Sequence, residues 1–344
     1  MDDARLSVAV WRSAESWPAE DKAVERYLRL YRARVRNAIT GFVVSLVLGV
    51  LVSAFQPHFS VVGGLLLLNA VWRAVSGVRH QIRFGRWLPA ATSLLNGSPA
   101  HRVATRIVAQ KGNRAVLAVG PMHLQVLPVT WGVRQVIART GEITVFGPDP
   151  EGHAVVFADG LPVPVPAKVV EAPEPTEAEP IVPVSVNGAE DQVPNWIATR
   201  TARLNQVPVV VVLVVLAGII LQAQNAEAMM IYTVIFGAML LIMAILVAFM
   251  PSDQLRLRKL LAAGQWQAHP VTVNASTGDA RRLVGGLTLV LNDGRRLSIK
   301  LALPELVANI SATGTLWMVG LPGDRKGAAV GIPGYPIVTA ARFA

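Results

Sequence analysis

Four long apolar runs interrupt an otherwise mixed polar chain. They are AITGFVVSLVLGVLVSAF (Ala38 to Phe55), FSVVGGLLLLNAVWRAVSGV (Phe59 to Val78), VPVVVVLVVLAGIILQA (Val207 to Ala223) and AMMIYTVIFGAMLLIMAILVAFM (Ala228 to Met250). Each is close to the roughly 20 residues that a helix needs to cross a hydrocarbon core of about 30 Å. The last two show no polar face, unlike the helices of soluble domains. The pattern predicts four transmembrane helices as two hairpins, at 38–79 and 196–250. Arg73 falls near the end of its run, where its stem can snorkel to the headgroups. Asn69 and Arg73 are the polar residues that a transport path between the hairpins would turn inward.

Basic residues flank the runs on one side only. Arg32, Arg34 and Arg36 precede the first, Arg79 and Arg83 follow the second, Arg203 precedes the third, and Arg256 and Arg258 follow the fourth. The short links QPH and QNAE hold no Lys or Arg. The positive-inside rule then predicts a multi-pass membrane protein with both termini cytoplasmic, and the excess of Arg over Lys with abundant Ala and Val suggests a GC-rich bacterial genome and hence a bacterial plasma membrane. The N-terminus has no early apolar stretch, so the first run is expected to be a retained anchor and not a cleaved signal.

Outside the runs the chain repeats itself. Thr140-Gly141 lies over Thr313-Gly314, ITVFG at 143–147 over LWMVG at 316–320, GHAVVF at 152–157 over GAAVGI at 327–332, and Ala167-Lys168 over Ala341-Arg342. Upstream, LLNGSPAHRV overlies LLAAGQWQAHPV, which aligns His101 with His269. Two apolar runs precede each copy, so the chain reads as an internal duplication of hairpin, basic connector and module. An even number of spans per copy predicts a parallel repeat, either of the kind found in some transporters or left by fusion of a two-span homodimer; the absence of polar or broken-helix features in the spans favours fusion.

Each module is a series of short β-branched segments punctuated by Gly, Asn, Asp and Pro, and Asn292-Asp293-Gly294 is a strong hairpin signal. A helical stretch occurs at the same place in both, TWGVRQVIA at 130–138 and LPELVANI at 303–310. The fold class expected is an α+β integral membrane protein, each hairpin followed by a small cytoplasmic barrel- or sandwich-like module. In strand density alone the modules resemble small barrels of the OB or SH3 kind.

The predicted layout is an amphipathic helix in 1–37, hairpin 1 at 38–79, β-module 1 at 80–170, a linker at 171–195, hairpin 2 at 196–250 and β-module 2 at 251–344. The linker, rich in proline and acid and free of Lys and Arg, has the composition of a disordered segment, which is the reading favoured over the alternative of a regulatory segment that folds back on the basic modules. The N-terminal helix carries Val24, Tyr27, Leu28, Tyr31 and Val35 on one stripe, which suits packing on a module or on lipid. Trp72, Trp87 and Trp196 suit interfacial anchoring, and Trp87 equally suits packing under the β-module.

Composition adds little chemistry. With 52% apolar and 16% charged residues the chain lies outside the ordinary soluble class, and the absence of cysteine removes disulfides and thiolate chemistry. The net charge of +10 is better matched to anionic headgroups than to specific nucleic-acid binding. Histidines 58, 80, 101, 123, 153 and 269 form no metal-ligand spacing, and repeat-related His101 and His269 suit structural hydrogen bonding. GLPGDRKG at 320–327 lacks the Ser/Thr and helix of a phosphate loop. No catalytic, cofactor or metal site is expected. The expectation is a non-enzymatic scaffold or accessory subunit with a protein partner, the alternative being a transporter or channel component.

Overall fold

A computed structural model describes residues 8–13, 21–55, 60–177, 179–202, 256–277, 285–320 and 327–343. The third and fourth apolar runs, Arg203 and most of the GLPGDRKG loop lie outside these residues. The chain divides into two compact units: Met1–Tyr31 with Arg83–Thr199 and Leu255–Ala344, and Arg32–Ile82 with Arg200–Gln254.

The described part of the second unit is a helical pair. Helix α1, Lys22–Phe55, leaves the first unit after Tyr31 and continues through the first apolar run, while α2 spans Ser60–Phe84. Small residues mark where the two helices meet. A side chain at Gly41 would strike Arg73, one at Gly49 would strike Leu67, and one at Gly63 would strike Ser53. Close approach through small residues is how helices associate where burial in water gives no driving force. Val43, Val47, Val50 and Leu51 are exposed around the pair. Among the described residues one helix, Lys22–Ala54, is long and apolar enough to cross a membrane. Four spans are thus not supported; runs three and four lie outside the described residues.

The first unit is α+β, with two β-rich sheets. Module 1 follows α3 (Trp87–Gly97) and contains β1 (Ala100–Ala104), β2 (Arg106–Lys111), β3 (Arg114–Val119), β4 (Met122–Val126), α4 (Trp131–Thr140), β5 (Glu142–Phe146), β6 (His153–Ala158) and β7 (Val165–Val170). Its seven strands run in the order β1-β5-β6-β7-β4-β3-β2. The two edge strands are consecutive in the chain, with only Thr105 between them.

The linker leads into a helix at 192–202, α5. Module 2 follows with α6 (Leu257–Leu261), β8 (Trp266–Thr277), β9 (Gly285–Leu291), β10 (Arg296–Ala302), α7 (Pro304–Thr313), β11 (Thr315–Val319), β12 (Gly327–Gly331) and β13 (Val338–Phe343). Its strands form a closed barrel, β10-β13-β12-β11-β8-β9. The connectivity is that of module 1, except that the single long β8 does the work of both β1 and β2. It pairs with β11 through Trp266–Pro270 and with β9 through Val271–Thr277.

The correspondence reaches single hydrogen bonds. Helices α4 and α7 both end on a left-handed glycine, Gly141 (φ 65°) and Gly314 (φ 64°), a conformation that glycine adopts without steric cost. The carbonyls of these glycines accept from Thr105 N–H at 2.7 Å and Val271 N–H at 2.9 Å. β2 and β8 each shift register once, past Val108 and past Asn274. In both sheets a buried leucine pair crosses the middle, Leu117 opposite Leu124 and Leu289 opposite Leu297. Full burial of each leucine contributes about 1.5–3 kcal/mol.

This register corrects two details of the sequence overlay. His101 pairs with Val145 and His269 with Leu316, and Val145 occupies the position of Met318. His101 therefore matches Gln267, and His269 matches Val103. A shift of two residues keeps every side chain on its own face, so the alternating pattern could not reveal it. In β6 and β12 the overlay slips by one: His153, opposite Lys168, matches Gly327, opposite Arg342.

The linker also departs from expectation. Instead of separating two independent domains, residues 171–195 belong to the same compact unit as both modules, which share one continuous apolar core. A second core forms where the N-terminal stripe of Val24, Tyr27, Leu28 and Tyr31 packs on Phe84, Trp87 and Phe157. Trp87 is consequently no interfacial anchor: it is buried, and its Nε1 donates to Ala154 O at 2.8 Å. Trp196 packs against Trp131 with centroids 5.6 Å apart and ring planes tilted by 54°, whereas Trp72 is exposed.

Candidate interaction groove and buried junction

The linker lies in a groove of module 1 between β2 and α4. Thr176 N–H donates to Val108 O at 3.1 Å, at the bulged residue of β2, and Thr176 Oγ1 accepts from Gln110 N–H at 3.0 Å. The bulge is what frees the Val108 carbonyl from the β2–β3 ladder. From α4, Arg134 grips Glu179 with two parallel bonds, Nε to Oε2 at 3.1 Å and Nη2 to Oε1 at 2.8 Å. Its Nη1 donates to Gly112 O at 2.7 Å, which locks the fork. Gln135 Nε2 donates to Pro180 O at 3.1 Å, and its Oε1 accepts from Val182 N–H at 2.9 Å. Arg134 and Gln135 are nevertheless buried, and bidentate pairing of this kind favours arginine over lysine.

Arg134→Met should therefore loosen the segment without unfolding the module. Loss of a charge-assisted pair worth about 1.4 kcal/mol raises local opening about tenfold. Amide hydrogen exchange at 179–182 should rise by that factor, and an unchanged rate would contradict the assignment.

Further along, the linker reaches the junction between modules. Asp191 is 1% exposed and its Oδ2 accepts from Gly334 N–H at 2.7 Å. Arg139 of α4 donates to Gly334 O at 2.9 Å and covers the Tyr335 ring at 5.3 Å. On the other side, Asn309 of α7 donates to Gly160 O at 2.8 Å, and Gly160 N–H donates to Trp11 O at 2.9 Å. Gly160 and Gly334 sit in corresponding loops, β6–β7 and β12–β13, with φ 74° and 75°. Each module thus presses the same loop onto the helix of the other.

Burial pushes the Asp191 carboxyl up to about 6, against the pull of the Gly334 N–H and the Arg139 charge. Burial likewise raises Asp159, opposed by Arg102, which bonds it at 2.9 Å. The Glu305 carboxyl rises for the same reason while Tyr27 bonds it. A carboxyl raised in the fold contributes stability that is complete below its unfolded value near 4 and is lost as pH climbs through 6. For Asp191 the loss is about 3 kcal/mol, from about 2 pH units at about 1.4 kcal/mol each. Asp191→Asn should remove that share of the decline between pH 4 and 7, read from denaturant midpoints. Parallel curves for the two proteins would refute it.

The residues singled out from sequence do not converge. His101 is exposed on β1, and His269 is half-buried on β8 beside Arg295, where burial and then the arginine charge lower its pKa. Asn69 Nδ2 donates to Ser45 Oγ at 2.8 Å, within the helical pair, and Arg73 lies along Gly41. Arg32, Arg34, Arg36, Arg79, Arg256 and Arg258 are exposed and Arg83 is half-buried. Asp149, Glu151 and His153 bring ligand atoms within 4.8 Å of one another in the β5–β6 turn. Asp149 already accepts the His153 N–H at 2.7 Å there, which accounts for the cluster as turn structure. Sequence reasoning missed Arg134, Glu179, Asp191 and Asn309, since their partners lie 45 to 298 positions away. Compared with protein families, curated proteins and solved structures, the chain gives no match.

Proposed function

We propose that the protein is a non-enzymatic scaffold or accessory subunit of a bacterial plasma-membrane complex, whose β-modules hold extended polypeptide segments. The observation that carries this reading is the groove of module 1, where a proline-rich acidic segment is bound through both backbone and side chains. Addition of an extended segment at a sheet edge is a common mode of peptide recognition.

The finer architecture belongs to the same proposal. Two hairpins with four spans, both termini cytoplasmic, would place both modules on the inner face beside anionic headgroups. Shared connectivity, matching bulges and the reciprocal docking of corresponding loops support a duplicated unit that began as a symmetric dimer.

The test is purification from native membranes in mild detergent, with the partner's stoichiometry counted. A polypeptide retained at a fixed ratio is expected. Repeated recovery of the chain alone would overturn the scaffold reading, and ion or solute flux from reconstituted vesicles would then favour a transport component.

A further inference from the structure

Among the described residues, the groove of module 2 that corresponds to the linker-bound groove of module 1 is open. Matching the two helices through Gly141 and Gly314 places Val307 at the position of Arg134, Ala308 at that of Gln135 and Ser311 at that of Ala138. Matching the bulged strands places Val273 at the position of Ile107. In module 1, Ile107, Arg134, Gln135 and Ala138 form one wall and the linker residues Thr176, Glu177 and Glu179 the other of a residual cavity of only about 160 Å³. In module 2, Val273, Val307, Ala308 and Ser311 line a cavity of about 650 Å³. That volume falls in the range of ordinary ligand sites. Val273 is 41% exposed, a large β-branched side chain on the groove floor.

The far wall is supplied by the start of α1, with Trp11, Lys22 and Arg26. Asp21 also lies there, but its carboxylate is engaged: Oδ1 accepts from Ala23 N–H at 2.7 Å and Oδ2 from Trp11 Nε1 at 2.9 Å. Lys22 and Arg26 take part in no ion pair among the described residues. The wall therefore presents two unpaired cations and one hydrogen-bonded carboxylate, a net positive edge over an apolar floor.

We propose that this second groove docks an extended, acidic, proline-containing segment of a partner polypeptide, an assignment that rests on the scaffold reading above. The chemistry of the occupant follows from the filled groove, where the bound stretch reads PTEAEPIV. In the open groove the floor has become more apolar and the cation has moved from the helix centre to the flank. Small or cyclic side chains pack on Val273 and Val307, and carboxylates face Arg26 and Lys22. The linker of a second copy is a poor candidate, since its glutamate is gripped by Arg134 at home and Val307 offers no equivalent fork.

The test uses the full chain in native membranes, with a photo-crosslinking amino acid in place of exposed Ser311 and, as a control, in place of Ala138. The control should crosslink to residues 176–182 of its own chain. At position 311 the expected adduct is on another polypeptide, mapped by mass spectrometry to an acidic proline-containing stretch. Arg26→Glu should reduce that adduct about tenfold while leaving the control adduct unchanged. The assignment is overturned by no adduct at 311, by an adduct within the chain or with a second copy, by a partner stretch without acidic residues, or by indifference to Arg26→Glu. If a stoichiometric partner persists while position 311 stays silent, only the groove assignment fails. If the chain purifies alone, the scaffold reading fails with it.

Discussion

Asn309→Leu is expected to cost about 4 kcal/mol of folding stability. The Asn309 amide is 3% exposed and makes three bonds: Oδ1 accepts from Trp11 N–H at 2.7 Å, and Nδ2 donates to Gly160 O at 2.8 Å and Glu305 O at 2.7 Å. Leucine fills the space but leaves the Trp11 N–H and the Gly160 carbonyl buried without these partners. Each orphaned group costs about 1–3 kcal/mol, far more than a bond contributes when both partners are removed together. The loss should appear as a lower denaturant midpoint for the detergent-solubilised chain. A change within about 0.5 kcal/mol, the ordinary range of surface substitutions, would show that the amide is not the tie between modules that its geometry indicates.

Gly160→Val should be about as damaging, for a different reason. With φ at 74°, a β-branched residue at this position is strained by about 1–3 kcal/mol. Its Cβ would also lie 2.6 Å from Cε1 of Tyr335, a buried ring that Arg139 also covers. The ring cannot yield without disturbing the loop around Gly334. Expected are a total loss of about 4 kcal/mol and a splitting of the unfolding transition, one step for each module. A single unsplit transition at the wild-type midpoint would contradict the joint core.

How far the sequence foretold these features depends on their range. The Asn292-Asp293-Gly294 turn, the paired helices at 130–138 and 303–310 and the density of short strands are local signals, and each stands where expected. The overlay of repeats failed where local pattern is degenerate. A slip of two residues at His269 preserves alternation, and the Ala- and Gly-rich β12 is buried along nearly its whole length, so it has no alternation to fix register. Composition misread the linker because proline and acid favour disorder only when nothing distant holds them. Here Arg134 and Gln135, some 45 residues earlier, do so. Asn309 carried a faint clue, an amide on the helix face that buries Leu306 and Ile310, a place that requires partners the local sequence cannot name.

The occupied groove has one more consequence. The linker is joined to module 1 directly after β7, only a few residues from where it binds. A short tether of this kind gives its segment an effective concentration in the millimolar range. An outside peptide of equal intrinsic affinity would have to exceed that level to compete, so the first groove is closed to ordinary traffic. A symmetric pair of modules would offer two equal seats; here the linker holds one of them. If the second groove docks a partner as proposed, the chain would have a valency of one, which suits a subunit that terminates or pairs an assembly better than one that cross-links it.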